Sequence, residues 1–112
     1  MTADHTINLS EAVSAQPNGI VLVFSKYDSS TGEALDNNFN SFFVPKIWVN
    51  SHKGYGNAFT MMDINFGCIC HKYLYINDTY ISGHANNSAT GTGTSGITYN
   101  NAGFVLRYVI GV

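Results

Sequence analysis

The chain closes on Phe104-Val105-Leu106-Arg107-Tyr108-Val109-Ile110-Gly111-Val112, a run carrying a single charged side chain. β-Branched and aromatic residues dominate it, which suits a pleated, half-buried strand far better than a solvated tail. Terminal segments fray unless something ties them down, and pairing within a sheet is one such tie. The run therefore has to pair with a central strand or pack on a partner subunit. This end of the chain is expected to belong to the fold, so any longer parent protein would extend upstream.

Composition agrees with a sheet protein. The 112 residues suit one domain. Hydrophobic residues make up 45%, enough for a core, while charged residues make up 11%, under half the usual ~25%. Gly, Tyr and Phe, with many Asn, Ser and Thr, stand where surface helices would carry Lys, Glu and Ala. A net charge of −2 with five scattered basic residues offers no electrostatic footprint for nucleic acid. No apolar run approaches the ~20 residues of a membrane span, so membrane insertion is not expected. Met1–Thr6 lacks the basic and apolar regions of a signal peptide.

Strand-like runs alternate with turn chemistry. Thr6–Leu9 opens the fold, and Gln16-Pro17-Asn18-Gly19 is a turn in which Pro sets φ and Asn-Gly accepts positive φ. Ile20–Phe24 is apolar on both faces, predicting a central strand covered on both sides. Asp28–Asn38 is a polar loop, and Phe39–Val49 an extended run in which Pro45 demands an edge, a bulge or a change of sheet. Asn50–Asn57 is a second loop. Ala58–Ile64 and Phe66–Ile76 are strands, followed by a tight turn at Asn77-Asp78 into Thr79–Ile81. Ser82–Gly96 is a small-residue loop, Ile97–Tyr99 a short strand, and Asn100–Gly103 a turn. No stretch shows a capped amphipathic helix, and Ser10–Ser14 suits at most one short turn. The expectation is a single all-β domain over residues 1–112, an antiparallel, jelly-roll-like β-sandwich of about 7–8 short strands.

Motifs with chemical meaning are few. Gly91-Thr92-Gly93-Thr94-Ser95-Gly96 spells GxGxxG, but a dinucleotide site needs a strand before it, a helix after it and an acidic residue about 20 positions on. Here a strand-like stretch follows and the 16 residues after Gly96 contain no acid. Cys68 and Cys70 would share one strand face about 7 Å apart, too far for an unstrained disulfide, with His71 on the other face. No second ligand pair completes a metal site, so neither metal nor cofactor is expected. Four histidines and several serines occur without a Gly-x-Ser-x-Gly elbow, and the seven carboxylates are not gathered into a glycosidase pair. Catalysis is not expected.

Recognition is what these residues suit. Trp48, His52, Tyr55 and Asn57 bracket a Gly/Asn-rich loop, while His84, Asn86 and Asn87 form a second loop set. Tyr73, Tyr75 and Tyr80 alternate along one strand pair and suit core, subunit interface or ligand contact. Rings stack on sugar C–H faces, and Asn and His orient hydroxyls without charge, so a polyhydroxylated ligand fits.

The runs Pro17–Tyr27, Asn38–Lys46, Lys72–Asp78 and Gly93–Val112 resemble the C-terminal head domains of phage tail-fibre and baseplate receptor-binding proteins from Gram-positive gut bacteria. The resemblance covers about Thr6 to Val112 and lies in strand-and-turn pattern. It implies a homotrimeric sandwich at the virion's fibre tip, a C-terminal fragment of a longer fibre protein joined to upstream fibre or baseplate proteins. Such a head faces the host and binds a cell-surface saccharide without a cofactor. Binding residues vary from host to host in that family, so none carries over by motif. Trimerisation also has a physical rationale, because apolar strands in a charge-poor chain leave a large patch on a monomer. A fibre-capping, trimerisation or virion-decoration module without ligand is the alternative, and a polysaccharide-cleaving enzyme the third reading.

Overall fold

Residues 1–2, 5–64, 69–93 and 96–112, which the computed structural model of the chain describes, form ten strands, one helix and three single-turn 3-10 segments. The strands are β1 (Thr6–Asn8), β2 (Gly19–Asp28), β3 (Glu33–Ala34), β4 (Asn40–Pro45), β5 (Tyr55–Met62), β6 (Ile69–Ile76), β7 (Tyr80–Ser82), β8 (Thr90–Thr92), β9 (Thr98–Asn100) and β10 (Phe104–Gly111). Helix α1 (Lys46–Ser51) follows β4, and the 3-10 turns are Val13–Ala15, Ala85–Ser88 and Asn101–Gly103. The all-β sandwich expected from the sequence is what forms. Its strands outnumber the expected seven or eight because five of them are three residues or shorter. Such short bridges have no period that a sequence can display.

The first sheet is built on β2. The closing segment pairs with it antiparallel from Phe104↔Lys26 to Gly111↔Ile20. Val112 completes the tie, donating to the Gly19 carbonyl at 3.0 Å and accepting from Asn18 N at 2.8 Å. On the other edge of β2 lie β4, in register from Gly19↔Pro45 to Phe24↔Asn40, and the two-residue β3. A register shift between Leu106 and Tyr108 marks a bulge at Arg107. The guanidinium there donates to Ser25 Oγ (2.9 Å) and the Leu35 carbonyl (3.3 Å) and pairs with Asp36 (2.9 Å).

The second sheet is built on β6. One edge pairs with β5 along its whole length, from Tyr55↔Ile76 to Met62↔Ile69. The other edge is shared between β9, a parallel contact at Ile69↔Tyr99, and β7, antiparallel at Tyr75↔Ser82 and Ile76↔Ile81. β1 then adds to β7, and β8 to β9.

Between the sheets lie Ile20, Leu22 and Phe24 of β2, Val44, Phe104, and Phe59, Met61, Cys70, Leu74 and Ile76 of the facing layer. Phe24, Phe42 and Phe59 bridge the layers with ring centroids 5.1–6.1 Å apart. Val13 and Val49 close the core from the 3-10 turn and α1. Period-two alternation explains the inward set, since even-numbered residues of β2 and β6 face in.

Four expectations need correction. Ile20–Phe24 is central but covered on one face only, since Val21 and Val23 are half-buried and their cross-strand neighbours Phe43, Tyr108 and Ile110 are exposed. Phe39–Val49 does not stay extended. Pro45 ends β4 and caps α1, because its fixed φ and missing N–H suit a helix start better than a continuing ladder. The expected polar loop from Asp28 to Asn38 contains the β2–β3 hairpin, and the expected loop from Ser82 to Gly96 contains a 3-10 turn and β8. No helix is long and apolar enough to cross a membrane among the described residues.

Candidate functional site

The gap on the second edge of β6, between β9 and β7, is closed by side chains. Asn101 Oδ1 accepts from His71 N at 2.8 Å, and Asn87 Oδ1 accepts from Tyr73 N at 2.6 Å. Asn87 Nδ2 returns a bond to the Tyr73 carbonyl (2.9 Å) and another to the Met1 carbonyl (2.6 Å), while Asn101 Nδ2 reaches the Asn86 carbonyl (2.7 Å). A carboxamide carries one acceptor and one donor group in a plane, as a peptide does, so it can stand in for a strand. Residues 71 and 73 are two apart, the spacing at which N–H groups recur on one strand edge. Each asparagine sits in a 3-10 turn held by its own cap, His84 Nδ1 accepting from Asn86 N and Asn100 Oδ1 from Ala102 N.

Beneath these bonds lies Lys72, only 4% exposed. Its ammonium donates to the main-chain carbonyls of Asn87 (2.7 Å) and Asn101. Desolvation holds its pKa below the usual 10.5, offset in part by the Cys70 thiol nearby.

The outward face of β6 carries His71, Tyr73 and Tyr75. With Tyr99, His84 and Asn86 they line an open cleft of about 650 Å³. Tyr73 stands edge-on to Tyr75 (centroids 5.4 Å, 90°) and to His84 (5.4 Å, 80°). Small residues of β5 make room: Ala58 faces Tyr73 across the ladder and Gly56 faces Tyr75. A Cβ on Gly56 would overlap the Tyr73 ring, and one on Gly91 would press on Tyr99. Two glycines therefore let two of the three tyrosines lie along the sheet. Phenols, imidazoles, the side chains of Asn86, Asn87 and Asn101, and the buried Lys72 line the cleft, and no carboxylate does among the described residues.

Trp48, His52, Tyr55 and Asn57 do converge, at another place. Tyr55 and Asn57 alternate with Gly56 and Ala58 on β5, so the cluster lies on the face of that strand opposite the cleft. Trp48 and His52 stack at 3.8 Å and 18°, and Tyr55 stands edge-on to His52 at 5.1 Å. The indole N–H donates to Asn57 Oδ1 (2.9 Å), and Asn57 Nδ2 to the Tyr55 carbonyl (3.0 Å). His52 Nδ1 is buried without a hydrogen-bond partner among the described residues. The protein itself thus uses the indole N–H and one face of the ring. Trp48 is still 40% exposed and Tyr55 60%.

The second loop set divides. His84, Asn86 and Asn87 all border the cleft, but Asn87 is 2% exposed and its amide is committed inside the fold, where it serves as a strut. Tyr99 was missed as a site residue, and Tyr73 and Tyr75 had no assigned role. The available signal was glycine on a strand beside aromatic residues, as at Gly56 and Gly91. Cys68, Thr94 and Ser95 lie outside the described residues, so the Cys68 part of the thiol pair and the full GxGxxG segment are not described. Cys70 is buried and His71 points outward, and no group of three metal-ligating side chains gathers among the described residues. No protein-family model, no curated protein and no solved structure matches the chain.

Proposed function

We propose that the chain is a non-catalytic receptor-binding head of a phage tail fibre or baseplate, taking a host cell-surface saccharide in the tyrosine cleft. The observation that carries this reading is the cleft itself, where Tyr73, Tyr75, Tyr99 and His84 surround about 650 Å³ of open space. Rings offer faces to sugar C–H groups, while phenol, imidazole and amide groups orient hydroxyls. An open, shallow site of this kind supports affinities from millimolar to high micromolar, about −4 to −6 kcal/mol. Several heads on one particle raise avidity by about 10²–10⁴.

The exposed outer face of the first sheet favours association of heads as a homotrimer. Phe43, Val21 and Ile110 lie side by side across three strands, next to Val23 and Tyr108. The same face supports the second reading, a fibre-capping, trimerisation or decoration module with no ligand, attached to upstream fibre or baseplate proteins.

Attachment of the fluorescently labelled domain to host cells, with a glycan array alongside, tests the first reading. Tyr73→Ala and Tyr75→Ala should abolish attachment with the fold intact. Trp48→Ala and Tyr55→Ala test the second aromatic cluster, and loss only in this pair moves the site there. If wild type binds no cell wall or glycan, the capping module takes over. A monodisperse monomer at micromolar concentration by light scattering removes the trimer.

A further inference from the structure

A second cavity, of about 700 Å³, meets the tyrosine cleft at Lys72 and Asn87 and is lined by His5, Thr6, Tyr27, Ser29, Lys72 and Phe104. Lys72 leaves β6 on the inward face, opposite His71, Tyr73 and Tyr75, and borders both spaces. We propose that this cavity is a binding site for one phosphate or carboxylate group, held by the Lys72 ammonium.

An ammonium has three N–H donors, and two are satisfied by the Asn87 and Asn101 carbonyls. Both partners are neutral. A buried charge ordinarily has an ion partner, and leaving one unmatched is costly. Among the described residues no carboxylate lines the cavity, and the described acids are placed elsewhere. Asp28 turns to Ser30, Asp36 to Arg107, Asp63 to Lys26, Asp78 to Ser14 and Glu11 to Gln16, and Glu33 is exposed on β3. Desolvation, which lowers the Lys72 pKa, agrees with an ammonium taken out of water with no carboxylate beside it among the described residues. An incoming anion would supply the opposite charge, and Tyr27 and Ser29, which line the same cavity, carry hydroxyls that can donate to it.

Titration of the ¹⁵N-labelled chain with inorganic phosphate, acetate and glucose 6-phosphate, at constant ionic strength against chloride, tests this. Saturable amide shifts at Lys72, Asn87 and Asn101 are expected. Tighter binding of glucose 6-phosphate than of phosphate would place the anion on a larger molecule, and the reverse order would favour a free ion. Lys72→Met should weaken the response at least tenfold while the Tyr73 and Tyr75 resonances keep their dispersion. Should that variant fail to fold, Tyr27→Phe with Ser29→Ala should weaken it several-fold. No saturable shift with any probe overturns the proposal, as do equal shifts with chloride or a folded Lys72→Met variant that still binds. Tyr73 and Tyr75 line the cleft and not this cavity, so loss of cell attachment in the tyrosine variants leaves the test untouched.

Discussion

The two sheets complete their central strands by different means. β2 is flanked by main chain on both edges, with β10 along one and β4 and β3 along the other. β6 has main chain along one edge, but over residues 71–73 its other edge is closed by the amides of Asn87 and Asn101. Backbone pairing spreads stability over many equivalent bonds, whereas a side-chain strut concentrates it in two residues. The strutted sheet is also the one that carries the cleft and the buried lysine, and it shares the second cavity with β2 and β10 of the other sheet. An edge closed by side chains leaves room beside it that a full strand would fill.

The largest expected effect tests the backbone-built sheet. Deleting residues 108–112 removes half of β10 and its tie to Gly19, and should cost several kcal/mol of a typical ~5–15 kcal/mol. A melting temperature equal to that of the full chain would show that β2 does not need this partner.

Next come the struts. Asn87→Ala leaves the Tyr73 N–H and carbonyl without their partner and should cost about 2–5 kcal/mol, with Asn101→Ala toward the lower end. Hydrogen exchange should accelerate at His71 and Tyr73 well before it does at Leu22. Equal acceleration in both sheets would erase the contrast drawn between them.

A third effect depends on pH. Lys72 has a folded pKa below its unfolded 10.5, so between those two values the unfolded chain binds more protons. Stability should therefore rise with pH across that window, and above pH 8.0, where the burial-depressed Met1 amine no longer contributes, the rise should be missing in Lys72→Met. Denaturant midpoints measured from neutral pH to pH 10.5 for both proteins decide it, and parallel profiles would refute the assignment.

Gly56→Ala is expected to cost less, about 1–2 kcal/mol, because the Tyr73 ring can swing toward solvent. Its cleft should nevertheless be altered, visible as loss of cell attachment with the fold kept. The smallest effect lies in the hairpin of the first sheet. Ser30 holds the Asp28 carboxyl below its usual 3.8, so that stabilisation is present above 3.8 and fades as pH falls through the folded value. Ser30→Ala should flatten the acid limb slightly, and an unchanged limb would assign the bond no role.

Sequence alone determined what rests on local chemistry and alternation. The β10 strand, the Pro17-Asn18-Gly19 turn and the central place of β2 were legible because branched, aromatic and turn-forming residues announce themselves within a few positions, but which face of β2 is buried was not. That Trp48, His52, Tyr55 and Asn57 bracket one loop was legible too, whereas their stacking and the indole bond to Asn57 came with the fold. Only the tertiary structure decided the rest. Asn87 and Asn101 look like any other loop asparagines in a chain full of them, and their value lies in facing an edge of β6 that is 14 and 30 positions away in their main-chain bonds. Lys72 reads as a surface charge until those same two turns close over it. The cleft, likewise, exists because β9 arrives parallel beside Ile69 and brings Tyr99 to Tyr73 and Tyr75. Long-range pairing has no local period, so its partners become visible only when the sheet is assembled.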